Sequence, residues 1–369
     1  MGKWSHHNAA YNCEKTFIAP LPFTMDSLTH IVFGAALGEA ILGKKAGKKA
    51  MLLGAMANTI PDLDVFLIFG DPVREITIHR GFSHSFLFSF LAAPILAWLA
   101  HRFLKDPIGF RQWAFFFFVL ILTHPLLDSL TTYGTQLFLP FSDYRVNFNN
   151  LFIIDFFFTL PLIVASIACL VMKSTNLNRI KWVASCLFIS SLYVVLSFSA
   201  KTYASQVFEK SLAKKGIQTK QRMTGVTPFN ILLWYTVAEV DSGYFIGDYS
   251  LLDANQEITY AFVKRNENLI SNIKNAYAVD RLIWFSNGYY SAEKVKGQTR
   301  FFTLKFGTTG FDLSKPLSES VPFYYVLARQ KNGIVKVENV SGFDKLELSK
   351  TLRLLFKRVM GDKAAFLEK

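Results

Sequence analysis

Long apolar runs separated by short polar junctions fill the chain up to about residue 200. Several of these runs approach or exceed the roughly 18–20 apolar residues that an α-helix needs to cross a bilayer. Pro94, Pro125 and Pro161 fall inside such runs, where neighbouring helices can satisfy the carbonyls that a proline frees. We therefore predict six membrane-embedded helices, at about residues 28–43, 48–69, 83–104, 112–130, 152–172 and 179–200.

The character of the chain changes at about residue 201, where hydropathy falls and aromatic residues begin to alternate with polar ones. Such alternation is typical of β-strands. Residues 281–290, 294–297 and 300–306 predict a strand, a turn and a second strand. Residues 346–360 predict a closing amphipathic helix. This part of the chain is therefore expected to be a soluble domain of mostly β character.

These patterns predict the fold class and its division along the chain. We expect a mainly α, membrane-embedded bundle of about six helices, followed by a smaller soluble, β-rich α+β domain. The first helix is short and rich in Gly and Ala, and small residues allow helices to approach closely in lipid, so we expect it inside the bundle. The predicted parts are a flexible N-terminal extension at 1–24, the bundle at 25–200 and the C-terminal domain at 201–369.

Composition agrees with an integral membrane protein. The 369 residues are 51% hydrophobic and only 18% charged, and they include 37 Phe. The formal net charge of +13 would suit a nucleic-acid partner. However, the basic residues are spread over the tail and the loops that flank the helices, so nucleic acid is not an expected partner. Three cysteines are too few for a disulfide framework or a cysteine-based zinc site.

The distribution of lysine and arginine predicts the orientation of the bundle. The loops at 44–49, 102–111 and 173–181 are rich in basic residues and lie on one side of the predicted helices. By the positive-inside rule that side is cytoplasmic. The opposite loops, at 70–82 and 131–151, are then expected at the outer face of the membrane, together with the C-terminal domain.

Histidine and aspartate residues collect at polar junctions on the predicted outer side. All seven histidines lie at or before residue 124. A charged side chain near the bilayer centre costs about 2.5–3.5 kcal/mol, and several carboxylates together would repel one another unless a cation neutralised them. His124 and Asp128 are four residues apart and therefore share one helix face. The candidate groups at this side are His30, Asp62, Asp64, His79, Arg80, His84, His124, Asp128 and Asp155.

This set of donor groups predicts a metal centre. Nitrogen and oxygen donors without a thiolate favour Zn²⁺, with Mn²⁺ or Fe²⁺ as alternatives, over Ca²⁺ and Mg²⁺. The set is larger than one tetrahedral ion requires, which predicts a cluster of two or three metal ions. Such clusters activate water and hold the attacking and leaving oxygens during phosphoester hydrolysis.

Each candidate also has a purely structural interpretation. A single histidine in a membrane bundle is often a hydrogen-bonded core residue, and His124 with Asp128 fits a hydrogen-bonded pair as well as a metal site. The aspartates near residue 62 would serve as turn residues. Ser83 is expected to cap the following helix rather than to act as a nucleophile. Arg80 fits a phosphate-binding group and an interfacial cation equally well.

Five short stretches carry a resemblance to a known family. They are Met25-Asp-Ser-Leu-Thr-His30, Pro61-Asp-Leu-Asp64, His79-Arg-Gly-Phe-Ser-His84, His124-Pro-Leu-Leu-Asp128 and Phe152-Ile-Ile-Asp155. In these stretches the chain resembles the YdjM-like family of inner-membrane metal-dependent hydrolases, also described as LexA-binding hydrolases. The resemblance is close over about residues 25–170 and looser in the C-terminal part. It implies a multi-span protein of a bacterial inner membrane.

The resemblance also implies roles for the candidate residues. The family is distantly similar to zinc-dependent phospholipase C and single-strand nucleases, which are helical enzymes with a three-zinc His/Asp cluster. By that similarity the expected metal ligands are His30, Asp62, His79, His84, His124 and Asp128, and Asp64 and Asp155 would either support these ligands or act as additional ones. Asp64 and Arg80 are the expected catalytic groups, and Arg80 would contact phosphate.

The sequence therefore predicts a membrane-bound hydrolase in which a metal-activated water attacks a phosphoester. A lipid-like substrate is expected because the site would open at the level of the headgroups. The bilayer is the expected partner, and a protein partner is compatible with the same pattern. The alternative is a non-enzymatic membrane protein that binds or transports metal or acts as a scaffold.

Overall fold

The computed structural model describes residues 26–365, apart from 69, 105, 177, 272, 274–275, 309–315, 330–334 and 342–347. The predicted extension at 1–24 lies outside the described residues. In the described part, a helical region with several apolar helices is followed by a region of two small antiparallel sheets, which confirms the predicted fold class.

The N-terminal region contains six long helices at the predicted places and one short helix. Their bounds are α1 Asp26–Ala46, α2 Lys48–Thr59, α3 Pro72–Ile78, α4 Phe86–Phe103, α5 Phe110–Ser129, α6 Phe156–Val171 and α7 Asn178–Lys214. Two 3-10 segments, at Pro61–Leu67 and Phe82–His84, lie between them. Pro94, Pro125 and Pro161 are inside α4, α5 and α6, as the apolar runs predict.

Three helices among the described residues, α4, α5 and α7, are long and apolar enough to cross a membrane. A fourth span results if α2 and the 3-10 segment Pro61–Leu67 count as one element bent by 45°. The sequence predicts a continuous helix over 48–69, but α2 ends at Thr59. Pro61 explains the break, because proline cannot donate the backbone hydrogen bond that would continue the helix.

Glycines bring α1 and α2 into backbone contact, which confirms the expected interior position of α1. A Cβ atom on Gly34 would lie 2.5 Å from the carbonyl oxygen of Gly54. A Cβ atom on Gly54 would lie 2.2 Å from the carbonyl oxygen of Gly34. Neither position tolerates a side chain without a shift of the helices, so the pair sets the distance between the two elements.

Helix α7 continues beyond residue 200, where the sequence predicts its end. Its last four turns pack Ala204, Val207 and Phe208 against an apolar cluster that includes Trp234 and Tyr249 of the C-terminal region. The same helix therefore belongs to the apolar bundle at its start and supports the C-terminal sheets at its end. The division of the chain into domains stays a prediction.

The C-terminal region consists of two four-stranded antiparallel meanders with short helices between them. The first sheet has β1 Gln221–Val226, β2 Leu233–Val240, β3 Gly243–Ser250 and β4 Ala261–Lys264. The second has β5 Tyr290–Val295, β6 Gln298–Thr303, β7 Phe323–Arg329 and β8 Val335–Ser341. The helices are α8 Asn268–Ser271, α9 Ala276–Phe285, α10 Leu317–Ser320 and α11 Leu348–Val359. The described part of α11 confirms the predicted amphipathic helix.

The hairpin prediction is half correct. β5 and β6 pair around Lys296 and Gly297, and both turn residues have positive φ angles, of 49° and 81°, as a tight hairpin requires. The predicted strand over residues 281–290 is wrong in its first half, because residues 281–285 end helix α9 and form no strand. Leu282 and Phe285 are three residues apart and both buried, so the aromatic-rich stretch also satisfies the helical spacing.

Candidate metal centre

Four side chains from three separate elements meet at one end of the helical bundle. Asp62 comes from the first 3-10 segment, His84 from the second, and His124 and Asp128 from the last turns of α5. One donor atom from each residue lies within 4.8 Å of the other three. His84, His124 and Asp128 have side-chain exposures of 1% or less, whereas that of Asp62 is 14%.

The donor atoms of these residues, which we call the four-atom cage, are Asp62 Oδ1, His84 Nε2, His124 Nε2 and Asp128 Oδ2. The two Nε2 atoms are 3.1 Å apart. Asp62 Oδ1 lies 3.4 Å from His84 Nε2 and 3.3 Å from His124 Nε2. Asp128 Oδ2 lies 3.2 Å from His84 Nε2 and 3.5 Å from His124 Nε2.

These separations fit a tetrahedral metal ion. A zinc ion with bonds of about 2.0–2.2 Å has neighbouring donors about 3.3–3.6 Å apart. Five pairs in the cage are separated by 3.1–3.5 Å. The donors are two imidazole nitrogens and two carboxylate oxygens, a combination that zinc accepts. The residues present therefore fit the predicted type of cofactor.

Hydrogen bonds outside the cage set the orientation of both imidazoles. His124 Nδ1 lies 2.5 Å from the carbonyl oxygen of Asn58, which can only accept a hydrogen, so Nδ1 donates and Nε2 keeps its lone pair for the cage. His84 Nδ1 lies 3.3 Å from Asp64 Oδ2 and 3.0 Å from Ser83 Oγ. A carboxylate behind the ring is the arrangement that fixes the tautomer of metal-binding histidines.

Asp128 is held through the oxygen that does not face the cage. His30 Nε2 lies 3.2 Å from Asp128 Oδ1, and Arg80 Nη2 lies 3.1 Å from the same atom. Arg80 Nη1 donates to Thr131 Oγ1 at 2.8 Å and to the Asp128 carbonyl at 3.3 Å. The His30 ring also stacks on His124, with centroids 3.8 Å apart. These contacts leave Asp128 Oδ2 directed at the two histidines.

Asp64 connects the remaining polar groups behind the cage. Its Oδ1 lies 2.9 Å from His79 Nδ1, while Oδ2 accepts from the Arg80 backbone N–H at 3.1 Å and from the Ser83 hydroxyl at 2.9 Å. Ser83 is therefore a hydrogen-bond donor to Asp64. The predicted N-cap role belongs instead to Ser85, whose side chain accepts from the Phe88 N–H.

The turn between His79 and His84 depends on two residues in different ways. Arg80 adopts a left-handed φ of 59°, which is uncommon for a residue with a side chain and is often found at functional sites. Gly81 has an ordinary φ, but a Cβ atom there would lie 2.5 Å from the Ile78 carbonyl oxygen. Gly81 therefore provides space for the close approach of the Ile78 carbonyl, and Arg80 adopts the backbone conformation that makes the turn.

The structure thus divides the nine candidates from the sequence into three groups. Asp62, His84, His124 and Asp128 form the cage, and His30, Asp64, His79 and Arg80 surround it. Asp155 lines the same narrow cleft as His30 and Asp128, but its hydrogen bonds lie elsewhere: its Oδ1 accepts from the N–H groups of Phe157 and Phe158 at the start of α6, and its Oδ2 accepts from the Tyr193 hydroxyl at 3.0 Å. The ligand and catalytic roles of all nine stay predictions.

Sequence reasoning missed two residues that contribute to this arrangement. The Asn58 carbonyl orients His124, and its side-chain amide donates to the Leu120 carbonyl at 2.6 Å, which joins α2 to α5. A polar residue in an apolar helix, three positions before Pro61, was the available signal. Thr131, which holds Arg80, gives no comparable signal because threonines are common after helix ends.

A buried ion pair at the other end of the bundle was also missed. Arg179 Nη2 lies 2.7 Å from Glu39 Oε2, and the two residues are 2% and 4% exposed. The sequence places Arg179 in a cytoplasmic loop as a topology signal. It lies instead near the start of α7, which begins at Asn178, and its side chain joins α7 to α1.

The C-terminal region contacts the residues next to the cage. The ring of Tyr133 packs edge-on against His79, with centroids 5.6 Å apart, and the Arg80 guanidinium lies 5.0 Å from it. Lys305 Nζ donates to the Tyr133 carbonyl at 2.8 Å. Burial lowers the pKa of Lys305 well below its ordinary value, and the charges of Arg145 and Arg80 lower it further.

Comparisons with known proteins place most of the helical region in one family. Residues 25–204 match the family model described as YdjM inner membrane protein. The chain is 31% identical over 121 residues to inner membrane protein YbcI of Escherichia coli (strain K12). That alignment covers 32% of this chain and 69% of YbcI. It is 30% identical over 125 residues to the uncharacterized protein YfhP of Bacillus subtilis (strain 168). That alignment covers 32% of this chain and only 38% of YfhP. No solved structure matches the chain.

Proposed function

This chain belongs to the YdjM inner membrane protein family, and we propose that it is a membrane-bound, metal-dependent hydrolase. The observation that carries the proposal is the four-atom cage, in which two histidines and two aspartates are oriented by hydrogen bonds from behind. We propose Zn²⁺ as the ion, with Mn²⁺ or Fe²⁺ as alternatives, because the donors are nitrogen and oxygen without thiolate. The cage accounts for one ion, and further ions would require His30 or His79.

The four cage residues are not equivalent, and the difference supports a catalytic role. His84, His124 and Asp128 are enclosed and supported, which matches the two histidines and one carboxylate that hold catalytic zinc in several hydrolases. A bound zinc ion acts as a Lewis acid and lowers the pKa of a water molecule in its open position. Asp62, with a side-chain exposure of 14%, is the member that water and substrate can approach. In a hydrolase the other three cage residues would hold the ion, and we assign Asp62 to accept the proton of the attacking water instead of completing the tetrahedron.

The residues around the cage position it. Asp64 orients His84 and receives the hydrogen bonds of Ser83 and the Arg80 backbone. The Arg80 guanidinium is 3% exposed and already binds Asp128 and Thr131. We therefore propose that Arg80 positions Asp128, and that contact with phosphate is a secondary role.

A phosphoester in a lipid-like molecule is the proposed substrate. A narrow cleft of about 20 Å³ reaches His30 and Asp128 from the start of α6, and its lining combines apolar side chains with the hydroxyls of Thr29 and Thr159 and the carboxylate of Asp155. Apolar walls beside a polar cage suit a molecule with an apolar part and a charged head. We propose that this end of the bundle lies at the outer face of the bacterial inner membrane, on the charge distribution of the loops.

Hydrolysis of phospholipids and of chromogenic phosphodiesters by the full-length protein in detergent tests the proposal. The metal-loaded protein should hydrolyse at least one of these classes, and Asp62→Asn should reduce kcat by about 100-fold or more while metal stays bound, because a general base is removed. Asp71→Asn is the matched control, since Asp71 caps α3 and asparagine caps equally well. Equal activity of Asp62→Asn and the parent would contradict the assigned role.

One observation favours a second function. Four protein donors already complete a tetrahedron, and closed sites of this kind are usually structural. The cage would then act as a clip that holds α5 against the two 3-10 segments in a non-enzymatic membrane protein. Removal of metal distinguishes the two functions: a structural clip predicts a large loss of thermal stability and no hydrolysis in the loaded protein, whereas a hydrolase loses activity.

A further inference from the structure

We propose that helix α11 lies flat on the surface of an anionic membrane and anchors the C-terminal region to it. The helix presents Leu352, Phe356 and Met360, a residue just past its end, to solvent, with exposures of 40%, 67% and 57%. The four-residue spacing places these side chains in one stripe along the helix. An exposed stripe of this kind requires an apolar partner, because single exposed apolar residues are common but an aligned series is not.

Basic residues follow the stripe on one side. Lys350 and Arg353 are exposed, and Lys357 continues their row. An apolar stripe bordered by Lys and Arg is the pattern of helices that lie in the plane of a membrane interface. The apolar side chains would enter the boundary between headgroups and acyl chains, and the cations would bind anionic headgroups.

The opposite side of the helix is fixed to the protein by polar contacts. The Arg358 guanidinium is 4% exposed and forms ion pairs with Asp248 and Asp253. The hydroxyl of Ser250 donates to the Val359 carbonyl at 2.5 Å. These contacts determine which face of α11 points outward, so the exposed stripe is a consequence of a defined docking of the helix on the end of β3.

Contacts through the C-terminal region link α11 to the start of α6. Gly361, just after the helix, packs against the backbone of Leu252. The preceding residue, Leu251, packs on the same apolar cluster as Phe152, which lies just before α6. At the first residue of α6, Phe156 is 60% exposed and stacks on Phe229 of the C-terminal region. A continuous series of contacts therefore links α11 to the start of a short apolar helix of the bundle.

The charge around the apolar stripe favours a lipid surface over a second copy of the chain as the partner of α11. The stripe is one side chain wide and is bordered by cations, so two copies joined through it would bring their basic rows together. The whole chain has a formal net charge of +13, which favours an anionic partner. Each Lys or Arg near an anionic membrane strengthens binding by about fivefold. An anionic bilayer satisfies both the apolar stripe and its basic border.

Hydrogen exchange of α11 in the full-length protein tests this proposal. The protein is reconstituted in nanodiscs of phosphatidylcholine alone and of phosphatidylcholine mixed with phosphatidylglycerol. We expect the amides of residues 348–360 to exchange at least about tenfold more slowly in the anionic discs. High salt should remove most of that difference, because it screens exposed charges.

Three variants make the result specific. Lys350→Glu/Arg353→Glu should lose the difference between the two kinds of disc. Leu352→Glu/Phe356→Glu should lose protection in both, and these exposed positions leave the core of the region intact. Tyr277→Glu, at a residue of α9 that is 63% exposed, is the control and should behave like the parent. Equal hydrogen exchange of the α11 amides in both kinds of disc would overturn the proposal. Protection of these amides that depends only on protein concentration would also overturn it, and would indicate a second copy of the chain as the partner.

Discussion

The Nε2 atoms of His84 and His124 face each other at 3.1 Å, and the Nδ1 atom of each ring is directed at an oxygen outside the cage. If both Nδ1 atoms donate, two nitrogen lone pairs and two carboxylates point into one small space. That arrangement is repulsive unless a cation occupies it. A proton on one ring would neutralise a single charge, whereas a divalent ion neutralises both carboxylates and satisfies both nitrogens. This relationship is the physical basis for our proposal of a metal centre in the protein.

Asp64 should control metal affinity without contacting the metal. We predict that Asp64→Asn weakens zinc binding by about 10–100-fold, because the carboxylate that orients His84 is lost. Competition between the purified protein and a chromophoric chelator measures the affinity. Asp71→Asn, on the exposed cap of α3, should bind zinc like the parent. An unchanged affinity in Asp64→Asn would show that His84 needs no such support.

The contact between α1 and α2 should not tolerate a methyl group. Gly54→Ala places a Cβ atom 2.2 Å from the Gly34 carbonyl oxygen, so the helices must separate. We expect a loss of about 1–3 kcal/mol in the free energy of unfolding, the usual cost of overpacking. Thermal unfolding in detergent measures it. Gly109→Ala is the control, since no atom lies within 4 Å of the added methyl group; as Gly109 is the N-cap of α5, we expect a loss of less than about 1 kcal/mol there, and an equal loss in both variants would contradict this explanation.

The ion pair between Glu39 and Arg179 should be costly to break and inexpensive to replace. Glu39→Leu leaves a buried guanidinium without its carboxylate, and we expect a loss of about 3–5 kcal/mol in stability. Glu39→Leu/Arg179→Met removes both charges and should recover most of that loss. Chemical unfolding of the two variants in the same micelles gives the comparison. A double variant as unstable as the single one would mean that the pair has a role beyond its charges.

Lys305 should make stability depend on pH. Its pKa is lowered in the folded protein, so between that value and the ordinary 10.5 the unfolded chain binds more protons than the folded one. The free energy of unfolding should therefore rise as the pH rises through this window. Lys305→Met should flatten the rise, while Lys294→Met, on the exposed part of β5, should keep it. Melting temperatures between about pH 7 and pH 10 provide the test, and parallel curves for all three proteins would contradict it.

Local patterns in the sequence predict most of the elements and place the candidate residues at one end of the bundle. The spacing of His124 and Asp128 predicts that they share one helix face, and both lie in the last turns of α5. The division between cage and supporting residues could not be predicted. It depends on which nitrogen of each histidine faces inward, and for His124 a backbone carbonyl 66 positions earlier in the chain decides this.

Other differences have equally specific causes. The left-handed backbone of Arg80 is set by contacts of its amide with Asp64 and of its side chain with Asp128 and Thr131, so only the assembled site requires it. Residues 281–285 satisfy both strand and helix patterns, and packing of α9 against the second sheet selects the helix. Asp155 caps α6, a role that the sequence did not predict, and its role as an additional ligand stays a prediction.

The most direct test of the account is the metal content of the purified full-length protein, beside a His124→Ala/Asp128→Ala variant. Elemental analysis should find at least one equivalent of zinc, manganese or iron in the parent and a clear loss in the variant, which lacks two of the four cage donors. His101→Ala, at the opposite end of α4, is the control and should retain the metal of the parent. Equal, sub-stoichiometric metal in the parent and the double variant would contradict a metal centre, and the His/Asp cluster would then be a buried polar network.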